Sequence, residues 1–144
     1  MTRFAIFDTP IGPCGIAWSE TGVAAIELPA ATAEATRARL LRRVPGAIEA
    51  TPEGFVEEAI AAIVRLLSGE AIDLSAVPVA LDGISDFNRS VYEIALTIPP
   101  GETMSYGEIA KRLGDPLLAQ AVGKALGENP VPIIIPCHRV LAAG

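Results

Sequence analysis

Histidine occurs once in this 144-residue chain and cysteine twice, and that scarcity removes whole classes of chemistry. A structural zinc site wants four Cys or His ligands. Cys14, Cys137 and His138 make three, two of them adjacent, so no metal is expected. Two cysteines build no disulfide framework, and the N-terminus Met1-Thr2-Arg3-Phe4 shows no apolar export segment. The expected setting is therefore reducing and cytoplasmic, with a free thiol at Cys137. No run approaches the roughly 18 consecutive apolar residues of a membrane span, so membrane insertion is excluded. Positive charge is also short: Lys and Arg number 11 against 17 Asp and Glu, for a net charge of −6. Bulk coating of nucleic acid is not expected from such a chain. The acidity is uneven, however. Residues 1–84 hold eleven acids and six bases, whereas residues 85–144 hold six and five. The second part can still face phosphate.

Aromatics make up only 5% of the chain, yet 51% of its residues are hydrophobic, enough for a real core. The length fits one compact domain or two small ones. Arg3 to Phe7, Cys14 to Trp18 and Val23 to Leu28 are β-compatible runs separated by turn residues, which predicts an antiparallel meander of three strands. Thr32 to Arg43 predicts a helix ending before Pro45-Gly46. A second helix is expected after Thr51 as N-cap and Pro52 in the first turn, with Phe55, Ile60, Ile63, Val64 and Leu67 at helical spacing. Ala71 to Gly83 reads as a linker with one extended piece, Val77 to Leu81.

Beyond the linker the pattern predicts helices only. Ser85 to Ile98 carries Phe87, Val91, Ile94, Ala95 and Ile98 on one face and stops at Pro99-Pro100-Gly101. Ser105-Tyr106-Gly107-Glu108 is a capping box opening a helix to Leu113. Gly114 ends it, and Asp115-Pro116 starts another that runs to about Leu126. This pair is a helix-turn-helix candidate. The proline-punctuated segment Asn129 to Pro136 reads as extended chain and delivers Cys137-His138-Arg139-Val140. Prolines hold the backbone stiffly where a thiol and an imidazole are neighbours. A thiol attacks as its thiolate, and nearby imidazole or cationic groups favour that form.

Ile135-Pro136-Cys137-His138-Arg139-Val140 resembles the active-site signature of the O6-alkylguanine-DNA alkyltransferases, or methylated-DNA–protein-cysteine methyltransferases. The blocks Phe87 to Tyr92, Ile98 to Thr103, Ser105 to Ala110, Ala121-Val122-Gly123 and Asn129 to Ile133 follow the family's order and spacing. The resemblance is strong from about residue 85 and weaker before it. It implies an α/β domain over residues 1–76, with a three-stranded antiparallel sheet and helices (ribonuclease-H-like). A helical domain with a winged helix-turn-helix is implied over residues 77–144. The implied partner is double-stranded DNA containing O6-alkylguanine, met through the minor groove by a monomer without a cofactor. The damaged nucleotide is flipped out so that a nucleophile can reach it.

Residue by residue, Cys137 resembles the alkyl acceptor and His138 the base that takes its proton through a water. Tyr106 resembles the tyrosine that helps flip the nucleotide and protonates the leaving guanine. Asn129 resembles the asparagine that braces the active-site segment, and Val140 is expected beside the pocket. Gln120 stands where the family usually has an arginine that fills the gap left by the flipped base. It lacks the guanidinium plane and charge, which implies weaker extrusion or weaker DNA binding. The family also continues with a glycine-rich loop and a helix whose glutamate orients the histidine. The sequence stops seven residues after Cys137, which reads as a truncated chain.

Plainer roles compete. Cys14 reads as a small core hydrophobe, and Arg139 as a structural ion-pair partner. Lys111, Arg112 and Lys124 are either phosphate contacts or ordinary helix surface. Two other functions stand beside the suicide acceptor: a non-catalytic binder of alkylated DNA, and a helix-turn-helix regulator that leaves the Pro-Cys-His-Arg block unexplained.

Overall fold

A computed structural model describes residues 1–142. The chain forms two compact units, Met1–Ala80 with Pro130–Pro132, and Leu81–Asn129 with the segment from Ile133 onward.

In the first unit β1 (Arg3–Thr9), β2 (Gly12–Ser19) and β3 (Gly22–Glu27) form the expected antiparallel meander. The sheet has a fourth strand, however. β4 (Ile48–Glu49) lies parallel to β1, with Arg3 opposite Ile48, so the order is β3-β2-β1-β4 and the sheet is mixed. The three-stranded expectation fails because a two-residue strand has no period to read. The turn at Gly46, with φ of +84°, returns the chain to the open β1 edge. The helix α1 (Ala33–Arg43) is capped by Thr32, whose side chain accepts from the Ala35 N–H. Leu40 of this helix is fully buried with Phe4, Ala17 and Ala25.

The helix α2 (Phe55–Leu67) starts later than expected. Its N-cap is Gly54, not Thr51, and no side chain caps it. Glu57 and Glu58 in the first turn supply the negative charge that the helix N-terminus favours. The extended piece of the linker meets β3 at a single parallel bridge, Val23 to Val79. Gly22 makes this approach possible, since a Cβ there would lie 2.7 Å from the Pro78 carbonyl.

In the second unit α3 (Asp86–Ala95) is capped by Ser85 and ends three residues earlier than expected. Its buried face is Val91, Tyr92 and Ala95. The capping box is present: Ser105 accepts from the Glu108 N–H at 3.0 Å and opens α4 (Tyr106–Arg112). Asp115 accepts from the Leu117 N–H, as an N-cap should, but the residues it opens form a tighter turn. Pro116–Leu118 is a 3-10 helix that leads into α5 (Ala119–Gly127).

Two further expectations are corrected here. The unit is not helical throughout, because β5 (Met104–Ser105) and β6 (Val140–Leu141) pair in parallel. Neither is the segment before Cys137 uniformly extended. Ile133 has φ of +75°, the one non-glycine residue with positive φ among the described residues. A β-branched side chain is strained there. Among the described residues no helix is long and apolar enough to cross a membrane.

Candidate active site

Cys137, His138 and Arg139 form a single 3-10 turn between the apolar segment and β6. The segment is anchored because its side chains are buried: Val131 and Ile135 are 0% exposed and Ile134 is 2% exposed. The Cys137 N–H donates to the Ile135 carbonyl at 2.8 Å. The Asn129 side-chain N–H donates to the same oxygen at 3.0 Å. Asn129 follows the C-terminus of α5, so one carbonyl joins the end of that helix to the backbone of the cysteine. The thiol is half-buried, in contrast to Cys14, which is fully enclosed in β2. Burial pushes the Cys14 thiol pKa up despite a contact with Thr9 Oγ1 at 3.7 Å.

Strand pairing links the start of α4 to the residues that follow the Cys137 turn. Met104 is opposite Val140 and Ser105 opposite Leu141, so the first residue of α4 follows directly from the pair that anchors the end of the Cys137 turn. Val140 is buried at 7% exposure. Tyr106 is half-buried, and its ring lies against Gly123 of α5. Gln120 is exposed one turn earlier on α5, so it shares a helix with Gly123 but does not join the Cys137 turn.

His138 is exposed, and among the described residues no group hydrogen-bonds its ring. Partial desolvation, and then the charge of Arg139, lower its pKa from the ordinary 6.5, so the imidazole is held neutral and able to accept a proton. Arg139 departs from expectation. Its guanidinium donates to the Ile98 carbonyl at 2.9 Å and pairs with no carboxylate among the described residues. Lys111, Arg112 and Lys124 are exposed.

Tyr92 was not singled out from the sequence, although it closes the motif that starts at Phe87. It is 0% exposed, and its hydroxyl donates to the Ala125 carbonyl at 2.7 Å. Burial first, then the charge of Glu128, raise its pKa, while a hydrogen bond with Asn88 opposes them. It is a buried phenol that stays protonated. The signal was its place on the apolar face of α3, which reads as core. Among the described residues no three His, Cys, Asp or Glu side chains gather as metal ligands.

The fold is an α/β protein whose second unit is mostly helical and carries one free, half-buried thiol on a turn next to the chain's single histidine. Residues 86–144 match the family model for the DNA-binding domain of 6-O-methylguanine DNA methyltransferase. A methylated-DNA–protein-cysteine methyltransferase of Methanosarcina acetivorans is 36% identical over 140 residues, covering 97% of this chain and 83% of that protein. The protein of that name from Mycobacterium tuberculosis is 37% identical over 144 residues, covering 99% and 80%. The crystal structure of the M. tuberculosis O6-methylguanine methyltransferase superposes with a TM-score of 0.77 at 35% identity, covering 99% of this chain and 80% of that one. A structure of M. tuberculosis OGT in complex with DNA gives 0.75 at 32%, with the same coverage. The chain belongs to the methylated-DNA–protein-cysteine methyltransferase family.

Proposed function

We propose that this chain repairs O6-alkylguanine in duplex DNA by moving the alkyl group irreversibly onto Cys137, once per molecule. DNA repair by alkyl transfer to a cysteine is the activity of the family, and DNA is its partner. The observation that carries the choice of residue is the contrast between the two thiols, Cys14 sealed in the core and Cys137 half-exposed on its turn.

In this reading Cys137 Sγ attacks the alkyl carbon in line. A sulfur–carbon bond forms, the carbon–O6 bond breaks, and its electron pair leaves with the guanine. His138, neutral at pH 7 and so with a ring lone pair to offer, takes the thiol proton through a water. The Tyr106 phenol protonates the leaving guanine. The thioether is stable, so the protein is consumed and no cofactor takes part. Asn129 braces the turn through the Ile135 carbonyl, and Val140 borders the pocket.

The pair α4 and α5 acts as a helix-turn-helix, with β5–β6 beside it as the wing. The exposed face of α5, with Leu117 just before it, then Gln120 and Lys124, enters the minor groove, and Gln120 fills the place of the extruded base. The first unit is the ribonuclease-H-like part of a cytoplasmic monomer. The test is single-turnover repair of a duplex carrying one O6-methylguanine, followed by nucleoside analysis of the DNA. Guanine should be restored mole for mole with protein and then stop. Damaged DNA that is bound but left methylated would overturn the transfer reading in favour of a damage binder.

A further inference from the structure

We propose that Gly123 is a positioning residue for the reaction: the missing side chain on α5 sets where the ring of Tyr106 sits. A Cβ built on Gly123 would lie 2.8 Å from Tyr106 Cε2, 3.2 Å from Cδ2 and 3.5 Å from Cζ. The ring edge therefore occupies the volume that any other residue at 123 would need. Glycine in a helix interior is otherwise an unfavourable choice, since it loses more backbone freedom on folding than alanine. Gly123 does not have the positive φ that eight other glycines among the described residues have, where a side chain would be strained. Gly127, at the end of the same helix, has nothing beyond its own helix and chain neighbours within 4 Å of its would-be Cβ. Close approach of one aromatic ring is what the structure offers as the reason for glycine at 123.

The phenol must meet the leaving guanine within hydrogen-bond reach, and α5 carries both the surface under the ring and Gln120. One residue without a side chain thus couples the acid to the helix that engages DNA. This rests on the reading of Tyr106 as the group that serves the extruded base. Alanine at 123 would push the ring off the helix by the few tenths of an ångström or more that a 2.8 Å contact demands. Misplacement of a reacting group by about 1 Å slows chemistry roughly a hundredfold, so a shift of this smaller size should slow transfer severalfold to about tenfold.

The experiment measures the limiting rate of methyl transfer, apart from DNA affinity, in the unaltered chain, Gly123→Ala, Tyr106→Ala and the double variant. Gly123→Ala should slow transfer at saturating DNA, and Tyr106→Ala should mask that effect, leaving the double variant as fast as Tyr106→Ala alone. Ring position is read separately by fluorotyrosine labelling, because the chain has two tyrosines. Tyr92 is bonded to Ala125 of the same helix, so its signal reports any shift of α5 itself. The Tyr106 signal should move in Gly123→Ala and the Tyr92 signal should not.

Unchanged transfer in Gly123→Ala would overturn the proposal. So would a slowing that persists in the Tyr106→Ala background, which would mean that the bare helix meets DNA directly. Displacement of both fluorine signals would overturn it as well, as a general disturbance of the helix. Full-rate transfer by Tyr106→Ala alone would instead remove the role of Tyr106, and this inference with it, a result distinct from the others.

Discussion

Asn129→Ala removes the side-chain donor that holds the Ile135 carbonyl at 3.0 Å. Its energetic and functional effects should separate. The carbonyl is not orphaned by the change, because the Cys137 N–H still donates to it at 2.8 Å. The loss of this bond alone costs the net worth of one hydrogen bond, about 1 kcal/mol, without the larger penalty of an unpaired buried acceptor, and so sets the least that the variant loses. For a chain of this size that lowers the melting temperature by at least roughly 3 °C. A domain with ordinary stability of about 5–15 kcal/mol stays essentially all folded after such a loss. The folded population thus cannot slow transfer, but the cysteine is tethered through the same oxygen. Its turn loses one of two restraints, and the rate of methyl transfer at 25 °C should fall roughly tenfold or more. Urea unfolding gives the first quantity and single-turnover transfer at saturating DNA the second. A variant that loses stability as expected yet transfers at the unaltered rate would refute the claim that Asn129 positions the nucleophile.

Three other outcomes are expected. Iodoacetamide at neutral pH should label one thiol per native chain, Cys137, and a second only after denaturation, because burial seals Cys14 and raises its pKa; mapping of the labelled peptide decides it. The acid limb of the transfer rate should lie below pH 6.5, because the folded-state pKa of His138 is lowered from that value. The unfolded chain takes up this proton first, so the stability contributed by this group is present above pH 6.5 and is lost as pH falls through the lowered value; an acid limb above 6.5 would contradict the assignment. Gln120→Arg restores a positive charge on the exposed face of α5, so it should tighten duplex binding and steepen the dependence of log K on log salt by about one unit; a slope unchanged in a salt titration would remove Gln120 from the DNA contact.

The sequence announced most of what local chemistry determines. The meander was readable because its turns are marked by Pro10, Gly12 and Gly22, and α4 because Ser105 and Glu108 form a capping box. What was missed depends on partners distant in sequence. β4 exists because Ile48 finds Arg3, and β6 because Val140 finds Met104; neither two-residue strand has a pattern of its own. Thr51-Pro52 is a good start signal that the backbone passes over in favour of Gly54, and Pro116 opens a 3-10 turn before α5 begins. The cysteine turn was visible from its prolines and its neighbouring imidazole. Its bracing by Asn129 came only from resemblance, and the bare surface at Gly123 under Tyr106 needed coordinates, because a missing side chain leaves no mark until its neighbour is known.

The central claim is that Cys137 is the acceptor, and it is tested most directly by locating the methyl group. The chain is mixed with excess duplex carrying O6-methylguanine, its intact mass is measured, and the protein is then digested and its peptides sequenced by mass. The account predicts a gain of one methyl per chain that does not rise with time, found on the peptide containing Cys137 and absent from Cys137→Ala. A methyl on Cys14, or a Cys137→Ala variant that still gains one, would contradict it.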